Sequence, residues 1–358
     1  MIVTKTEQLA GSLAQGQNRN RLTILLLTYN RLHYLRQAVK SCLGQTDKDF
    51  ELVIIDNHST DGTGEYLVDL LKYRPSTKIK INSMNIGYRG SLLIGLDSVD
   101  TDWITILCDD DILCENFIET FYQLQSNYSH ASCLAFSTLS IDKFGCVLES
   151  QINDNKYLSP ETIIQSFGNL GEKVAGVSNF CFLYDHSSIR ENNLIKDYPN
   201  GFYADTFLFW VSSLRGGLVL SSEVTYKKRE WDGQLSSFSN QRMAERFIAL
   251  LQYDFDIRSV LSVRYLYTVN NGLKFATLQS FVKSYIFQIS TLGYLTPKLC
   301  ALYLKAALKF NKRYLPHALL LSLMLPFFLK STLGVRKYSN EFRKKIRKAR
   351  SSAKSTAV

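Results

Sequence analysis

Two short runs, Leu22 to Leu27 (LTILLL) and Glu51 to Ile55 (ELVII), are apolar from end to end and bounded by polar residues. Each is too short for a buried helix and suits a parallel strand covered on both faces. Between them Tyr34, Leu35, Ala38, Val39 and Cys42 recur at helical spacing, which makes a βαβ unit. The pattern repeats with a helix expected over 62–72, a strand over 78–81, a helix over 90–96 and a strand from Trp103 to Leu107. That last strand runs into Cys108-Asp109-Asp110-Asp111. Strands alternating with helices imply an α/β fold with a doubly wound, mostly parallel sheet. Beyond residue 111 the rhythm changes. A helix over 117–124, strands over 132–139, 145–152 and 177–184, and an apolar helix over 206–214 give a mixed second half. From about residue 241 helical patterns dominate, so a helical C-terminal extension is expected.

Composition excludes disorder and coiled coil, with 46% hydrophobic and 21% charged residues among 358. The net charge of +10 is unevenly placed. Residues 296–358 hold 15 of the 42 Lys and Arg but one acid, Glu341, so the rest of the chain carries 27 bases against 31 acids. A basic end speaks of an anionic surface and says nothing about the chemistry of the body. The cysteines (Cys42, Cys108, Cys114, Cys133, Cys146, Cys181, Cys300) are scattered without CxxC or Cys/His spacing, and read as reduced, mostly buried thiols. The first twenty residues lack the apolar core of a signal peptide. The longest apolar stretch, 315–329, contains Pro316, His317 and Pro326 and is too short to span a bilayer. The expected location is cytoplasmic, peripheral on the inner face of the membrane.

In open parallel sheets ligands bind beyond the carboxyl ends of the strands. Those ends carry Thr28-Tyr29-Asn30-Arg31, then Asp56-Asn57-His58-Ser59-Thr60-Asp61-Gly62-Thr63, then Asn85-Ile86-Gly87-Tyr88-Arg89, then the three aspartates. Neither GxGxxG nor GxxxxGK[ST] occurs, so phosphates are not held by a glycine cradle. Three adjacent carboxylates repel and raise one another's pKa unless a cation joins them. A hard divalent ion, Mg²⁺ or Mn²⁺, held by one or two carboxylates together with substrate phosphates, resolves the repulsion.

In this order and spacing, TYNR, DNHSTDGT, NIG and DDDIL resemble family 2 glycosyltransferases with the GT-A fold, densely over Leu22 to Leu124 and more sparsely to about Phe238. The resemblance implies a nucleoside-diphosphate sugar donor with UDP favoured, a divalent metal, and inversion at the anomeric carbon. It places Asp110 first as metal ligand, Asp109 on the ribose or metal, and Asp111 in support, while Cys108 stands where the commonest family pattern has an acid. It puts Thr28, Tyr29 and Asp56 around the base and adds Arg31, Asn85 and Arg89 to the donor site. Gly201-Phe202-Tyr203-Ala204-Asp205 resembles the family's base motif with Ala204 in place of a glutamate, making Asp205 the expected catalytic base. In Tyr226 to Ser236, Lys228 or Arg229 would offset phosphate charge and Trp231 would stack on a sugar. The organisation implied is a polar lead-in (1–20), a GT-A catalytic domain (21–240, with a nucleotide-binding half 21–126 and an acceptor half 127–240), a helical extension (241–330) and a polybasic tail (331–358).

The expected function is an inverting glycosyltransferase of bacterial surface-polysaccharide assembly (O-antigen or capsule), acting on a saccharide or lipid-linked acceptor. The basic end would dock on an anionic inner leaflet. No nucleic-acid partner is expected, and a homo-oligomer is left open. Two other readings compete: a sugar-phosphate nucleotidyltransferase, disfavoured because TYNR stands where a Gly-rich basic loop belongs, and a non-enzymatic basic membrane-binding scaffold, disfavoured by the joint presence of Asp56, Asp110 and Asp205.

Overall fold

A computed structural model of the chain describes residues 21–164, 180–183, 195–231, 234, 249, 252, 253, 256, 257 and 260. The expected lead-in, most of the helical extension, the polybasic tail and Cys300 lie outside the described residues. The strands are β1 (Leu22–Thr28), β2 (Phe50–Asp56), β3 (Lys78–Ile81), β4 (Trp103–Cys108), β5 (Ile112–Leu113), β6 (Cys133–Ile141), β7 (Val147–Gln151), β8 (Lys156–Leu158), β9 (Phe180–Leu183) and β10 (Leu218–Arg229). The helices are α1 (Leu32–Leu43), α2 (Thr63–Tyr73), α3 (Gly87–Leu96), α4 (Phe117–Asn127) and α5 (Ala204–Gly216). The chain divides into two compact units. The first gathers residues 21–156, 180–183 and 219–229, and the second gathers 157–164, 195–218 and the described residues from 230 onward.

The first unit holds a sheet whose strands follow the order β3-β2-β1-β4-β9-β6-β10-β5, with β7 beside β6. The doubly wound half is parallel, because β1 pairs with β2 and β4, and β2 with β3, all in the same direction. In the other half the pairings of β9 with β4 and β6, of β7 with β6 and of β5 with β10 are antiparallel. This is the mixed second half expected from the sequence. Every residue of β1 is buried, as a strand covered on both faces requires. Helix α1 turns Leu35, Ala38, Val39 and Cys42 to the core at the spacing the sequence displays. Gly95 of α3 lets that helix approach the sheet closely: a Cβ there would stand 2.6 Å from Leu25 Cδ1 and 3.2 Å from Ile55 Cγ1.

The register fixes where a site can form. Thr28 lies opposite Asp56 and Leu27 opposite Cys108, so three strands end level with one another. The chain winds outward from β1 through β2 to β3 and then returns to place β4 on the other side of β1. The reversal falls between β1 and β4, which is where an open α/β sheet leaves a crevice. Some elements differ from expectation. Strands β5 and β8 were not anticipated, and β10 begins well before the Tyr226 segment singled out above. Helix α3 begins at Gly87, where the Asn85 side chain accepts the Gly87 N–H at 2.9 Å and turns the chain into the helix.

In the second unit α5 is buried along nearly its whole length. Tyr198 donates its hydroxyl to Asp256 at 2.9 Å, and Lys196 lies over the ring of Phe207. Among the described residues no helix is long and apolar enough to cross a membrane.

Candidate active site

The loops after β1 and β2 are fastened to each other. Asn30, in the left-handed region at φ 51°, donates its N–H to Ser59 Oγ and accepts the Thr60 N–H through its side chain. Asp61 receives the Leu32 N–H at the start of α1 and the Thr63 hydroxyl at the start of α2, so one carboxylate supplies acceptors to two helix N-termini. Burial pushes Asp61 up, but these hydrogen bonds outweigh it and hold its pKa below the ordinary value. Farther out, Asn57 donates to Asn85 Oδ1 and accepts from Asn82 Nδ2 and the Ile86 N–H, which ties the loop after β3 to the end of β2.

Between β1 and β4 sit the aspartates, all buried. Asp109 turns toward β1: Thr28 Oγ1 donates to it at 2.9 Å, the Tyr29 N–H at 3.2 Å and Arg31 Nη1 at 2.9 Å. The same Arg31 nitrogen reaches Asp110 Oδ2 at 3.3 Å. Burial works against the Arg31 charge, and Asp109 and Asp110 together outweigh it, raising its pKa. Burial in turn pushes Asp109 up to about 6 against the pull of Arg31.

Asp111 turns the other way, toward β10. Tyr226 donates its hydroxyl to Asp111 Oδ2 at 2.6 Å and the Arg229 N–H donates to Oδ1 at 2.8 Å. Burial, with Asp110 adding repulsion, raises Asp111 to about 7. Asp110 stands between, and its side chain, that of Asp111 and the Cys108 thiol bring ligand atoms within 4.8 Å of one another. Two buried carboxylates and a thiol in that space suit a divalent cation, because they supply negative donors whose mutual repulsion a cation would remove.

The remaining expected residues take different places. Tyr29 leaves its ring exposed beside Thr28, as a stacking surface would require. Asp56 is fully buried and accepts the Ser59 hydroxyl and N–H, so its carboxylate braces its own loop. Asn85 is exposed and is a loop tie through Asn57, while Arg89 is half-buried on α3. Arg229 does not present itself to a phosphate. It is 1% exposed, its Nε donates to the Asp110 carbonyl at 2.8 Å, Nη1 donates to the Asp142 and Lys143 carbonyls, Nη2 donates to Gln37 Oε1 at 2.9 Å, and its guanidinium lies over the Tyr34 ring. Its work is to hold the aspartate turn against β10 and the β6–β7 hairpin. The structure brings Thr28, Tyr29, Arg31 and Asp109 to Asp111 together and adds Tyr226, to which the sequence reading assigned no role.

Asp205 and Trp231 belong to the second unit. Asp205 is the second residue of α5 and accepts the Thr206 N–H at 2.7 Å. The turn before it is strained, with Asn200 at φ 53° and Tyr203 at φ 64° beside Gly201 at φ 72°. Left-handed non-glycine residues of this kind cluster at functional sites. Trp231 is half-buried and accepts the Gln234 N–H at its carbonyl.

Known proteins share both sequence and architecture with this chain. The family model for glycosyl transferase family 2 matches residues 23–192, a span that holds the loops after β1, β2, β3 and β4 and stops short of Asp205 and of the β10 residues that meet Asp111. An uncharacterized glycosyltransferase of Haemophilus influenzae is 24% identical over 64% of this chain and 71% of its own length. The GalNAc(5)-diNAcBac-PP-undecaprenol beta-1,3-glucosyltransferase of Campylobacter jejuni is 27% identical over 54% of this chain, which spans only 59% of that relative. Among solved structures, S. aureus TarS 1-349 in complex with UDP-GlcNAc has a TM-score of 0.55 at 13% identity, covering 91% of this chain and 92% of that one. At that identity the likeness speaks for the fold, the mixed α/β sheet of GT-A type. Over residues 23–192 the chain is similar to glycosyl transferase family 2.

Proposed function

We propose that this chain is an inverting glycosyltransferase that moves a sugar from a nucleoside-diphosphate sugar, with UDP the favoured nucleotide, to a saccharide or lipid-linked acceptor in cell-surface polysaccharide assembly. The observation that carries the reading is the convergence of Thr28, Arg31 and Asp109 to Asp111 at the switch point of the sheet. Two names support the finer detail. The TarS structure contains UDP-GlcNAc, and the Campylobacter relative is named for an undecaprenol-linked saccharide.

In this reading Tyr29 stacks on the base, and Thr28 and the braced loop at Asp56 shape its pocket. Asp109, fixed by Thr28 and Arg31, faces the ribose. Asp110 and Asp111 hold a divalent cation, Mn²⁺ or Mg²⁺, which when bound offsets the charge of the diphosphate leaving group. Arg89 reaches the donor, and Trp231 packs on a sugar ring. Asp205 takes the proton from the acceptor hydroxyl as that oxygen attacks the anomeric carbon from the face opposite the diphosphate. The basic C-terminal residues bring the enzyme to an anionic membrane surface where a lipid-linked acceptor resides.

The test is a thermal-shift panel of UDP, GDP, CDP and dTDP with and without Mn²⁺, on the wild type and on Asp110→Ala. Binding to the native state alone stabilises it by about 2.7 kcal/mol at a hundredfold excess over Kd, a shift of several degrees. A Mn²⁺-dependent shift with one nucleotide, abolished in Asp110→Ala, is expected. A cooperative melt that no nucleotide moves would remove the nucleotide-sugar reading.

A further inference from the structure

The turn after β4 gathers donors of two kinds. Asp111 N–H donates to the Cys108 carbonyl at 3.2 Å, closing a four-residue turn that brings positions 108 and 111 together. Cys108 is exposed at the end of β4, and its Sγ, an oxygen of Asp110 and an oxygen of Asp111 all lie within 4.8 Å of one another. Asp109 is not in this group; its carboxylate turns away toward β1, to Thr28, Tyr29 and Arg31. The third donor beside the two carboxylates is therefore a sulfur.

We infer that Cys108 Sγ is a ligand of the divalent cation held by Asp110 and Asp111, and that it shifts the site's preference from Mg²⁺ toward ions that accept sulfur, such as Zn²⁺ and Co²⁺. This deepens the proposed function, from which it takes the need for a cation. The argument is one of donor chemistry. Carboxylate and water sets suit Mg²⁺ and Mn²⁺, whereas a thiolate favours Zn²⁺ and other softer ions and adds little for Mg²⁺. Bonds of about 2.3 Å to sulfur and 2.1 Å to oxygen put the ligand atoms of one tetrahedral ion about 3.5 Å apart. Rotation of short side chains on one turn supplies that closure. The exposed thiol leaves the outer side of the ion for water or diphosphate oxygens. On coordination the S–H bond breaks, sulfur keeps the electron pair and donates it to the ion, and the proton leaves to solvent. No oxidation state changes.

The experiment titrates the full-length, chelator-treated protein with Co²⁺ and follows the near-ultraviolet band of sulfur-to-cobalt charge transfer, then displaces Co²⁺ with Zn²⁺ or Mg²⁺. The wild type should show the band, Zn²⁺ should erase it stoichiometrically, and about a hundredfold excess of Mg²⁺ should leave it. Cys108→Ser should lose the band and bind Zn²⁺ about tenfold or more weakly. Asp110→Ala should lose the band as well, because carboxylate and sulfur share one ion, and Cys146→Ser, an exposed thiol elsewhere, should keep it. Cobalt bound without the band, unchanged Zn²⁺ affinity in Cys108→Ser, or a band surviving in Asp110→Ala each overturns the assignment. In the first two cases the nucleotide shift still stands and the functional reading survives. A band present without any nucleotide shift would strike the functional reading and leave the sulfur ligand in place.

Discussion

Asp111 carries more physical consequence than its place in an acidic run suggests. It is buried, held by Tyr226 and the Arg229 N–H, and raised to about 7, with burial the leading cause. Its folded pKa lies above the unfolded value of about 3.9, so between those two the native state binds more protons than the unfolded one. Stability from this group is therefore full below the unfolded pKa and is lost as pH rises toward 7. Asp111→Asn removes the titration and keeps an acceptor for the Arg229 N–H. In a chelator-treated sample, the stability of Asp111→Asn relative to wild type should improve by roughly 2–3 kcal/mol from about pH 5 to about pH 8, because the wild type loses about 1.4 kcal/mol for each pH step climbed below its folded pKa. Asp109 titrates in both proteins and cancels in the difference. Denaturant melts at the two pH values measure it, and a difference that does not change with pH would show that Asp111 ionises freely in the native state.

At the scale of elements, the close approach of α3 to β1 and β2 is tested at Gly95. An alanine there gains up to about 1 kcal/mol of helix propensity. Against that, its methyl would stand 2.6 Å from Leu25 Cδ1 and 2.9 Å from Cδ2, in a core where both neighbours are fully buried. Overpacking of this kind costs about 1–3 kcal/mol. Gly95→Ala should lower the melting temperature by a few degrees, and a raised one would mean that propensity wins and the helix has room to lift. The same contrast between local and distant forces explains what could be read in the sequence. Strands β1, β2 and β4 and the buried face of α1 were legible because their own residues carry the burial pattern, and the ends of those strands led directly to Thr28, Arg31 and the aspartates. Strand β10 was not, because Ser221, Ser222 and Glu223 break its apolar character and its partners lie far away in the chain. The place of Arg229 is hidden in the sequence for the same reason. A basic residue at a strand end looks like a phosphate contact until register sets its guanidinium against the carbonyls of Asp110, Asp142 and Lys143. Gln45 likewise carries no local signal in the sequence, although it is 1% exposed and links the end of α1 to the Cys114 carbonyl and to the Ile118 N–H in the first turn of α4.

For the whole molecule the governing quantity is the separation of charge along the chain. Residues 331–358 contain nine Lys and Arg and one acid, while the chain before residue 296 is mildly acidic. A basic segment near an anionic leaflet gains about 1 kcal/mol per base, and the gain falls off within a Debye length of about 8 Å at physiological salt. The acidic body gains nothing from the same surface, so membrane attraction should reside in the tail and leave turnover of a soluble acceptor untouched. Deleting residues 331–358 should abolish flotation with vesicles of anionic lipid, and raising salt should release the full-length protein in the same way. The Mn²⁺-dependent nucleotide shift should persist in the truncated chain, because the loops around Asp109 to Asp111 are built from residues before 230. Two outcomes would count against the electrostatic account: flotation that survives the deletion, which would place the contact in the apolar stretch at 315–329, and equal flotation with neutral vesicles, which would make the attachment hydrophobic.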